Sequence, residues 1–368
     1  MNWVLITYLS ICGLLLFYYL FAFSRVLFSK PKYYAPEHLP AVSVVICARN
    51  EAENLQQNLK VVMIQNYKNF EVIVVNDQST DNTEDVVSYY CDRNPNLRLI
   101  NVKRDVEKPL PGKKFPLKVG IESASHDIIV VTDADCKPSN TLWLKTLVSE
   151  FLSETQFVLG YSPFKSYPGF VNKLIRYDNV MTAMQYFGFT LSGFPYMGVG
   201  RNMAFRKTQF KSYSPTEASQ KILSGDDDLF VNNIARGNST EVAIHKDSYI
   251  YSEPEKSWGA WLHQKTRHIK TSFHYSFSSQ LLLLIFAFLN FAFYIFPITL
   301  FFVESSVALI LLVFASVFIV KFITHSKLCI RFQNADLIPY LFFLDFIFIL
   351  HLPIFLFRSM FYKVSQWK

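Results

Sequence analysis

Apolar positions along the chain fall into long unbroken runs at both ends and short, punctuated runs between them. Trp3 to Phe23 is uncharged and mostly apolar, and it is long enough to cross a bilayer. The first cations, Arg25, Lys30 and Lys32, follow the run, and the start is Met-Asn-Trp. A cleaved leader carries its basic residues first, so an uncleaved anchor with a cytoplasmic carboxyl side is predicted. The last third repeats this texture. Leu281 to Phe302 is the clearest span, and Val307 to Phe322 follows a turn containing Glu304. A loop from Thr324 to Asp336, with Lys327 and Arg331, fits the cytoplasmic side. Ile338 to Phe357 is interrupted by Asp345 and Pro353, and a full crossing leaves Arg358, Lys363 and Lys368 outside, against the charge bias. A span and a re-entrant or interfacial segment therefore both stand. Asp345 either faces an interior and works there, or argues against a simple span.

Between the ends the runs shorten to strand length. Val42 to Cys47, Phe70 to Val75, Leu97 to Val102 and Ile128 to Val131 are largely aliphatic and bounded by polar turns, which predicts buried strands. Asn50 and Glu53 are spaced as a capping box ahead of Leu55, Leu59, Val62 and Met63. Ser79, Thr80, Asp81 and Thr83 open a second helix. Lys114 to Ser123 makes a third, with Pro116 in its first turn. Strand and helix in this alternation mean parallel pairing with right-handed crossovers. The expectation is an α/β domain with a sheet of the nucleotide-binding type.

Beyond Pro138 the pattern loosens. Helices are predicted from Thr141 to Phe151 and from Phe170 to Phe187, with a strand from Phe157 to Tyr161 between them. Gly198 to Arg206 reads as a glycine-bearing turn into a strand, and short strands follow near Val242 and Tyr249. Ser257 to Ser276 mixes Trp258, Trp261 and Phe273 with Lys265, Arg267, His268 and Lys270, the pattern of an interfacial amphipathic helix.

Composition sharpens this division. Hydrophobic residues make up 51% of the chain, with 36 Phe, while charged residues are only 18%. That balance indicates a membrane protein carrying one large aqueous domain. The expected partition is an anchor over residues 1–30, an aqueous domain over 40–256, an interfacial helix over 257–278, and a membrane region of two to three spans over 280–368. A net charge of +7 suits lipid headgroups or phosphorylated ligands. No basic tract with interleaved aromatics occurs, so no nucleic-acid partner is expected. Cys12, Cys47, Cys91, Cys136 and Cys329 are odd in number and form no C-x-x-C pair, which argues against a disulfide framework or structural zinc.

The candidate chemistry begins where the Ile128 strand ends. Asp133 and Asp135 are two residues apart on extended chain, so both carboxylates project to one side. Like charges there repel and resist desolvation unless a cation joins them. Mg²⁺ or Mn²⁺, which take one or two carboxylates plus phosphate oxygens, fits that need. Ligands of open α/β sheets bind beyond the carboxyl ends of the strands. A solvated turn or helix cap is the other reading of the same residues. Asp226, Asp227 and Asp228 form a second acidic group, which by itself is also explained as favourable charge at a helix start.

The order of these motifs is Asp77, then Asp133-x-Asp135, then Asp226-Asp227, then Gln264-Lys-Thr-Arg267-His268. It resembles the order in membrane-anchored family 2 glycosyltransferases of the GT-A fold, in the branch of cellulose, chitin and hyaluronan synthases. Ala48-Arg-Asn-Glu51 is similar to that family's first nucleotide-contacting turn, Gly112-Lys113 to its G-K, and Glu253-Pro254 to an acid-and-proline element. The similarity runs from Val42 to His268. His268 stands where the family has tryptophan, and Asp226-Asp227 where it has Glu-Asp, with Asp228 leaving the register open.

The resemblance implies a GT-A domain between membrane helices and metal-dependent transfer of a sugar from a nucleotide-sugar, a UDP-sugar in the first place, with inversion. On that reading Ala48, Glu51, Asp77 and Lys113 bind the donor. Asp135 holds the divalent cation, with Asp133 assisting at donor or metal. Asp227 is the base, with Asp226 the runner-up. Gln264 and Arg267 close over the diphosphate, and His268 assists or packs. Arg201, Asn202 and Trp261 either line the acceptor side or serve a turn and the bilayer interface. The acceptor is lipid-linked or a glycan, met at the cytoplasmic face of a plasma or inner membrane by a multi-pass protein. A processive synthase coupled to export is the alternative, and a catalytically silent nucleotide-sugar-binding membrane protein a third reading.

Overall fold

The computed structural model describes residues 3–30, 39–103, 108, 110–303 and 307–361. Lys32, the turn around Glu304, and the cations Lys363 and Lys368 lie outside the described residues. The chain forms two compact units. One is drawn from Met1–Ser29, Ser166–Phe194 and Glu255–Tyr362, the other from Lys30–Lys165 and Pro195–Pro254. The segment expected as one aqueous domain over 40–256 thus gives its 166–194 portion to the helical unit.

The second unit is built on a seven-stranded sheet in the order β3-β2-β1-β4-β7-β6-β8. Its strands are β1 (Val42–Ala48), β2 (Phe70–Asp77), β3 (Leu97–Val102), β4 (Ile128–Asp133), β6 (Phe157–Gly160), β7 (Met203–Arg206) and β8 (Thr240–Ala243). Strands β3, β2, β1 and β4 pair in parallel, as the strand–helix alternation predicts, whereas β7 runs antiparallel to both β4 and β6. Every residue of β1 is buried, which is why these strands read as continuous apolar runs. In register, Cys47 lies opposite Asp133, and Ala48 opposite Asn76, next to Asp77. The carboxyl ends of β1, β2 and β4 therefore meet along one edge. Two further strands, β5 (Lys137–Pro138) and β9 (Ile250–Tyr251), pair antiparallel and bring the chain just before Glu253 next to the exit of the D-A-D turn.

The helix Lys114–Ser123 starts where predicted and packs close on the sheet. A Cβ at Gly120 would meet Val45 Cγ1 at 2.5 Å and Val75 Cγ2 at 3.0 Å, so only glycine allows this approach. The capping box expected from Asn50 and Glu53 does not form. Asn50 takes a left-handed φ of 55°, and its side-chain oxygen accepts from the Thr80 N–H at 2.8 Å instead. Glu51 is the N-cap of the helix Ala52–Met63. The Ser79–Thr83 cluster supplies the missing acceptors: Ser79 Oγ, Thr83 Oγ1 and Asp81 Oδ2 take the N–H groups of Asn50, Glu51 and Ala52. The two loops at the sheet's edge are thus knitted together.

Among the described residues, the helical unit contains four helices long and apolar enough to cross a membrane: Trp3–Phe28, Phe277–Leu300, Val307–Arg331 and Ala335–Phe361. Tyr18–Phe23 within the first is π-helical. The loop expected from Thr324 to Asp336 is instead helical as far as Arg331. Its polar residues are interior contacts: His325 is buried, its Nε2 lying 2.9 Å from Tyr19 Oη and its Nδ1 3.2 Å from Tyr177 Oη. Arg331 donates to the carbonyls of Leu27 and Ser29 at 2.7 and 2.5 Å, closing the carboxyl end of the first helix. Asp345 faces the interior, where Lys321 Nζ lies 2.8 Å from it.

Candidate active site

The ends of β1, β2 and β4 gather the acids that the sequence singles out. Asp77, the last residue of β2, is fully buried, and Lys108 Nζ lies 2.7 Å from its Oδ1 and 2.8 Å from its Oδ2. Sequence reading missed Lys108. It belongs to no regular element, and only the tertiary fold brings it to Asp77. Glu51 is buried and accepts from Asn54 Nδ2 at 2.6 Å. Ala48 ends β1 and is buried.

Lys113 sits on the turn opened by Gly112, whose φ is 64°. Its ammonium pairs with Asp133. Burial works against the lysine's charge, but Asp133, helped by Cys47 and Asp226, outweighs it and holds the ammonium protonated well above its ordinary range. Cys47 reports the local crowd of charges. Burial pushes its thiol up to about 12, with Lys113 pulling it down and Asp133, Asp226 and Asp77 pushing it further up. Those four charged groups are all near one buried sulfur.

Asp133, Asp135 and Cys136 offer ligand atoms within 4.8 Å of one another. Burial keeps the Cys136 thiol protonated, and it donates to Asp135 Oδ1 at 3.5 Å. The available donors are therefore carboxylate oxygens, which fits a hard cation such as Mg²⁺ or Mn²⁺.

The acidic trio is split by its surroundings. Asp227 Oδ2 accepts the Gly200 N–H at 2.6 Å and its Oδ1 the Asp228 N–H at 2.8 Å. Asp227 is thereby the N-cap of the helix Asp228–Ile234, and Asp228, which is buried, accepts the Leu229 N–H at 2.8 Å. Asp226 is half-buried. Burial and the neighbouring Asp227 carboxylate push its pKa up to about 6, against a downward pull from Lys113. Lys113, Gly200, Asp226 and Asp227 line one water-sized cavity of about 10 Å³. The loop leading to them is latched from beneath: Lys114 Nζ donates to the carbonyls of Ser219 and Ile222 at 2.6 and 2.7 Å. A Cβ at Gly112 would strike the Leu223 carbonyl oxygen at 2.6 Å, so glycine is needed there for space as well as for its backbone angle.

On the expected acceptor side, the Arg201 guanidinium lies 4.4 Å from the Phe164 ring centroid. Asn202 differs from expectation. It is completely buried, its Oδ1 accepts from Trp143 Nε1 at 3.0 Å, and its Nδ2 donates to the carbonyls of Tyr161 and Ser248 at 2.7 and 2.8 Å. Its amide holds the scaffold together.

Trp261, Gln264, Arg267 and His268 lie on the helix Trp258–Ser272, which belongs to the helical unit. Trp261 is buried, 5.3 Å from the Phe355 ring and 6.3 Å from His351, so it packs inside that unit. Gln264 Nε2 donates to Glu255 Oε1 at 3.3 Å, and His268 is exposed. Gln264, Arg267 and His268 follow at i, i+3 and i+4 and share one helix face.

Residues 43–213 match the family model Glycosyl transferase family 2. Glycosyltransferase AglE of Haloferax volcanii is 33% identical over 149 residues, 40% of this chain and 47% of that protein. Probable glycosyltransferase YdaM of Bacillus subtilis is 25% identical over 244 residues, 63% of this chain and 55% of that protein. The matched stretch thus spans about half the length of either relative. Among solved structures, the mannosyltransferase PcManGT from Pyrobaculum calidifontis, in complex with GDP-Man and Mn²⁺, superposes with a TM-score of 0.56. The superposition covers 90% of this chain and 96% of that one at 19% identity, a likeness of fold. With its mixed, mostly parallel sheet and with Asp77 and Asp133 ending β2 and β4, the chain has a fold of GT-A type, and over residues 43–213 it is similar to Glycosyl transferase family 2.

Proposed function

We propose that the chain moves a sugar from a nucleotide-sugar, a UDP-sugar in the first place, to a lipid-linked or saccharide acceptor at the cytoplasmic face of a membrane, with inversion at the anomeric carbon. The observation that carries this is the meeting of charges at the strand ends: Lys113 pairs with Asp133 at the end of β4 and lines one cavity with Asp226 and Asp227, and Asp77 ends the neighbouring β2. Carboxylates for a nucleoside and a cation, an ammonium for phosphate, and an acid for proton removal meet there at the sheet's edge.

Glu51 and Asp77 accept hydrogen bonds from the base and ribose, since ionised carboxylates only accept. Lys113 gives its charge to the diphosphate. Asp135 with Asp133 would hold Mg²⁺ or Mn²⁺, which when bound neutralises charge growing on the departing diphosphate. The acceptor oxygen forms its bond to the anomeric carbon as the carbon–oxygen bond to the diphosphate breaks. The nucleoside diphosphate leaves with that electron pair, and the acceptor proton passes to an aspartate. Asp227 is that base, its carboxylate aimed by the amides of Gly200 and Asp228. Asp226 is the competing assignment, because a carboxyl titrating at about 6 takes protons near neutrality. Gln264 and Arg267 serve the diphosphate, where a guanidinium's fork matches phosphate oxygens.

The test is product analysis by mass after incubating the full chain in lipid nanodiscs with a panel of nucleotide-sugars, with Mg²⁺, Mn²⁺ or chelator. Transfer that needs metal and collapses in Asp135→Asn is the expected result. A panel without transfer would sink the proposal and leave a silent binding protein. A processive synthase is the second reading, favoured by 30% identity over 113 residues to the poly-beta-1,6-N-acetyl-D-glucosamine synthase of Staphylococcus epidermidis. Products longer than one added sugar would establish it.

A further inference from the structure

Three consecutive residues of the helix Phe170–Leu191 bind three different parts of the helical unit. Arg176 is buried and donates to Asp336 at 2.8 and 2.5 Å and to Asn334 at 2.9 Å. The Tyr177 hydroxyl donates to Asp345 at 2.9 Å. Asp178 is buried, and its Oδ1 lies 2.8 Å from Lys265 Nζ. Lys265 sits inside the Gln264–His268 motif, one residue after Gln264 and two before Arg267.

We infer that Asp178 is a positioning residue: through Lys265 it fixes the rotation of the helix that presents Gln264 and Arg267. This rests on the sugar-transfer reading of those two side chains. Lys265 lies about 100° around the helix from Gln264, so a tether there sets where the shared face of Gln264, Arg267 and His268 points. Trp261, one turn earlier on the Lys265 side, packs against Phe355 and fixes the same rotation through shape alone. A ring contact tolerates sliding, whereas a buried carboxylate must keep its ammonium. The far end of the tether is firm, because Tyr177, the residue before Asp178, holds the same helix to Asp345. Reacting groups misplaced by about 1 Å lose about a hundredfold in rate, so a small rotation is enough to matter.

The experiment uses the full chain in nanodiscs with Mn²⁺ and, as donors, UDP-glucose, UDP-N-acetylglucosamine and GDP-mannose in turn. Asp178→Asn and Lys265→Gln should each lower kcat about tenfold to a hundredfold, and the double variant should be no worse than either. The exchanged pair Asp178→Lys with Lys265→Asp should recover part of the loss. Asp336→Asn is the control. It breaks the neighbouring ion pair on the same helix and should lower the melting temperature while leaving kcat within about twofold. An Asp178→Asn variant with unimpaired kcat, or an Asp336→Asn variant losing as much, overturns the inference alone. A wild-type chain that transfers no sugar overturns the sugar-transfer reading and this inference with it.

Discussion

The Gly200 N–H donates to Asp227 Oδ2 at 2.6 Å, so a backbone group on the turn before β7 sets the direction of one acid at the site. Glycine is needed there for space. A Cβ at residue 200 would stand 3.0 Å from that same oxygen and 3.1 Å from Asp227 Cβ. Gly200→Ala should therefore push the carboxylate by a few tenths of an ångström while leaving the fold intact. About a tenfold loss of kcat is expected, with a melting temperature within a few degrees of wild type. Unchanged turnover in Gly200→Ala would remove Asp227 from the role of base.

Asp226 makes the stability of the ligand-free chain fall with rising pH. An aspartate with an ordinary value of 3.8 and a folded value of about 6 binds more protons folded than unfolded between those limits. Below about pH 4 the group is protonated in both states and costs nothing. Between about pH 4 and 6 stability falls because the unfolded chain ionises while burial and Asp227 keep the folded carboxyl protonated, and the loss is complete once the folded group ionises above about pH 6. Asp226→Asn should leave the melting temperature unchanged near pH 4 and raise it at pH 7, measured in detergent without nucleotide or metal. A variant less stable than wild type at pH 7 would mean that Lys113 wins over burial and over Asp227.

What the sequence disclosed was local. Strand β4 and its D-A-D exit were legible because a β-branched run and two carboxylates two apart need no distant partner to be recognised. Lys114 to Ser123 was legible for the same reason. Lys108 was not, since its pairing with Asp77 is a contact across 31 positions. Asn50 misled because a good N-cap residue in a left-handed backbone serves the neighbouring Thr80 loop instead. The carboxyl half of Val307–Arg331 misled because polar residues in an apolar helix look like its end, when His325 is solvated by two tyrosines.

Asn202 tests how far such reading can be trusted. Its neighbour Arg201 keeps an accessible position, while Asn202 spends its amide on Trp143, Tyr161 and Ser248. Asn202→Ala should strand one buried donor and two buried acceptors, each costing about 1–3 kcal/mol. A clear drop in melting temperature, or failure to fold, is expected. The milder Asn202→Asp should also destabilise, because a carboxylate cannot donate to the Tyr161 and Ser248 carbonyls. A stable Asn202→Ala chain with a raised acceptor KM would return the residue to the acceptor side.

Lys321 and Asp345 are the clearest case where two charges must be judged together. They lie 2.8 Å apart among apolar helices, each almost wholly buried. Asp345 also accepts from Tyr177 at 2.9 Å and Tyr294 at 2.5 Å, and Lys321 donates to Asn290 at 3.1 Å. Removing one partner leaves an uncompensated buried charge, which costs about 3–5 kcal/mol. Removing both removes the penalty with the attraction. Lys321→Met alone should therefore destabilise the helical unit, as should Asp345→Asn alone. The double variant should be more stable than either, because no charge remains and the asparagine keeps both tyrosines, accepting from one hydroxyl through its oxygen and donating to the other through its NH2. Denaturation of all four chains in one detergent supplies the cycle. If the two losses simply add, the pair contributes nothing jointly, and each residue serves the helices through separate contacts.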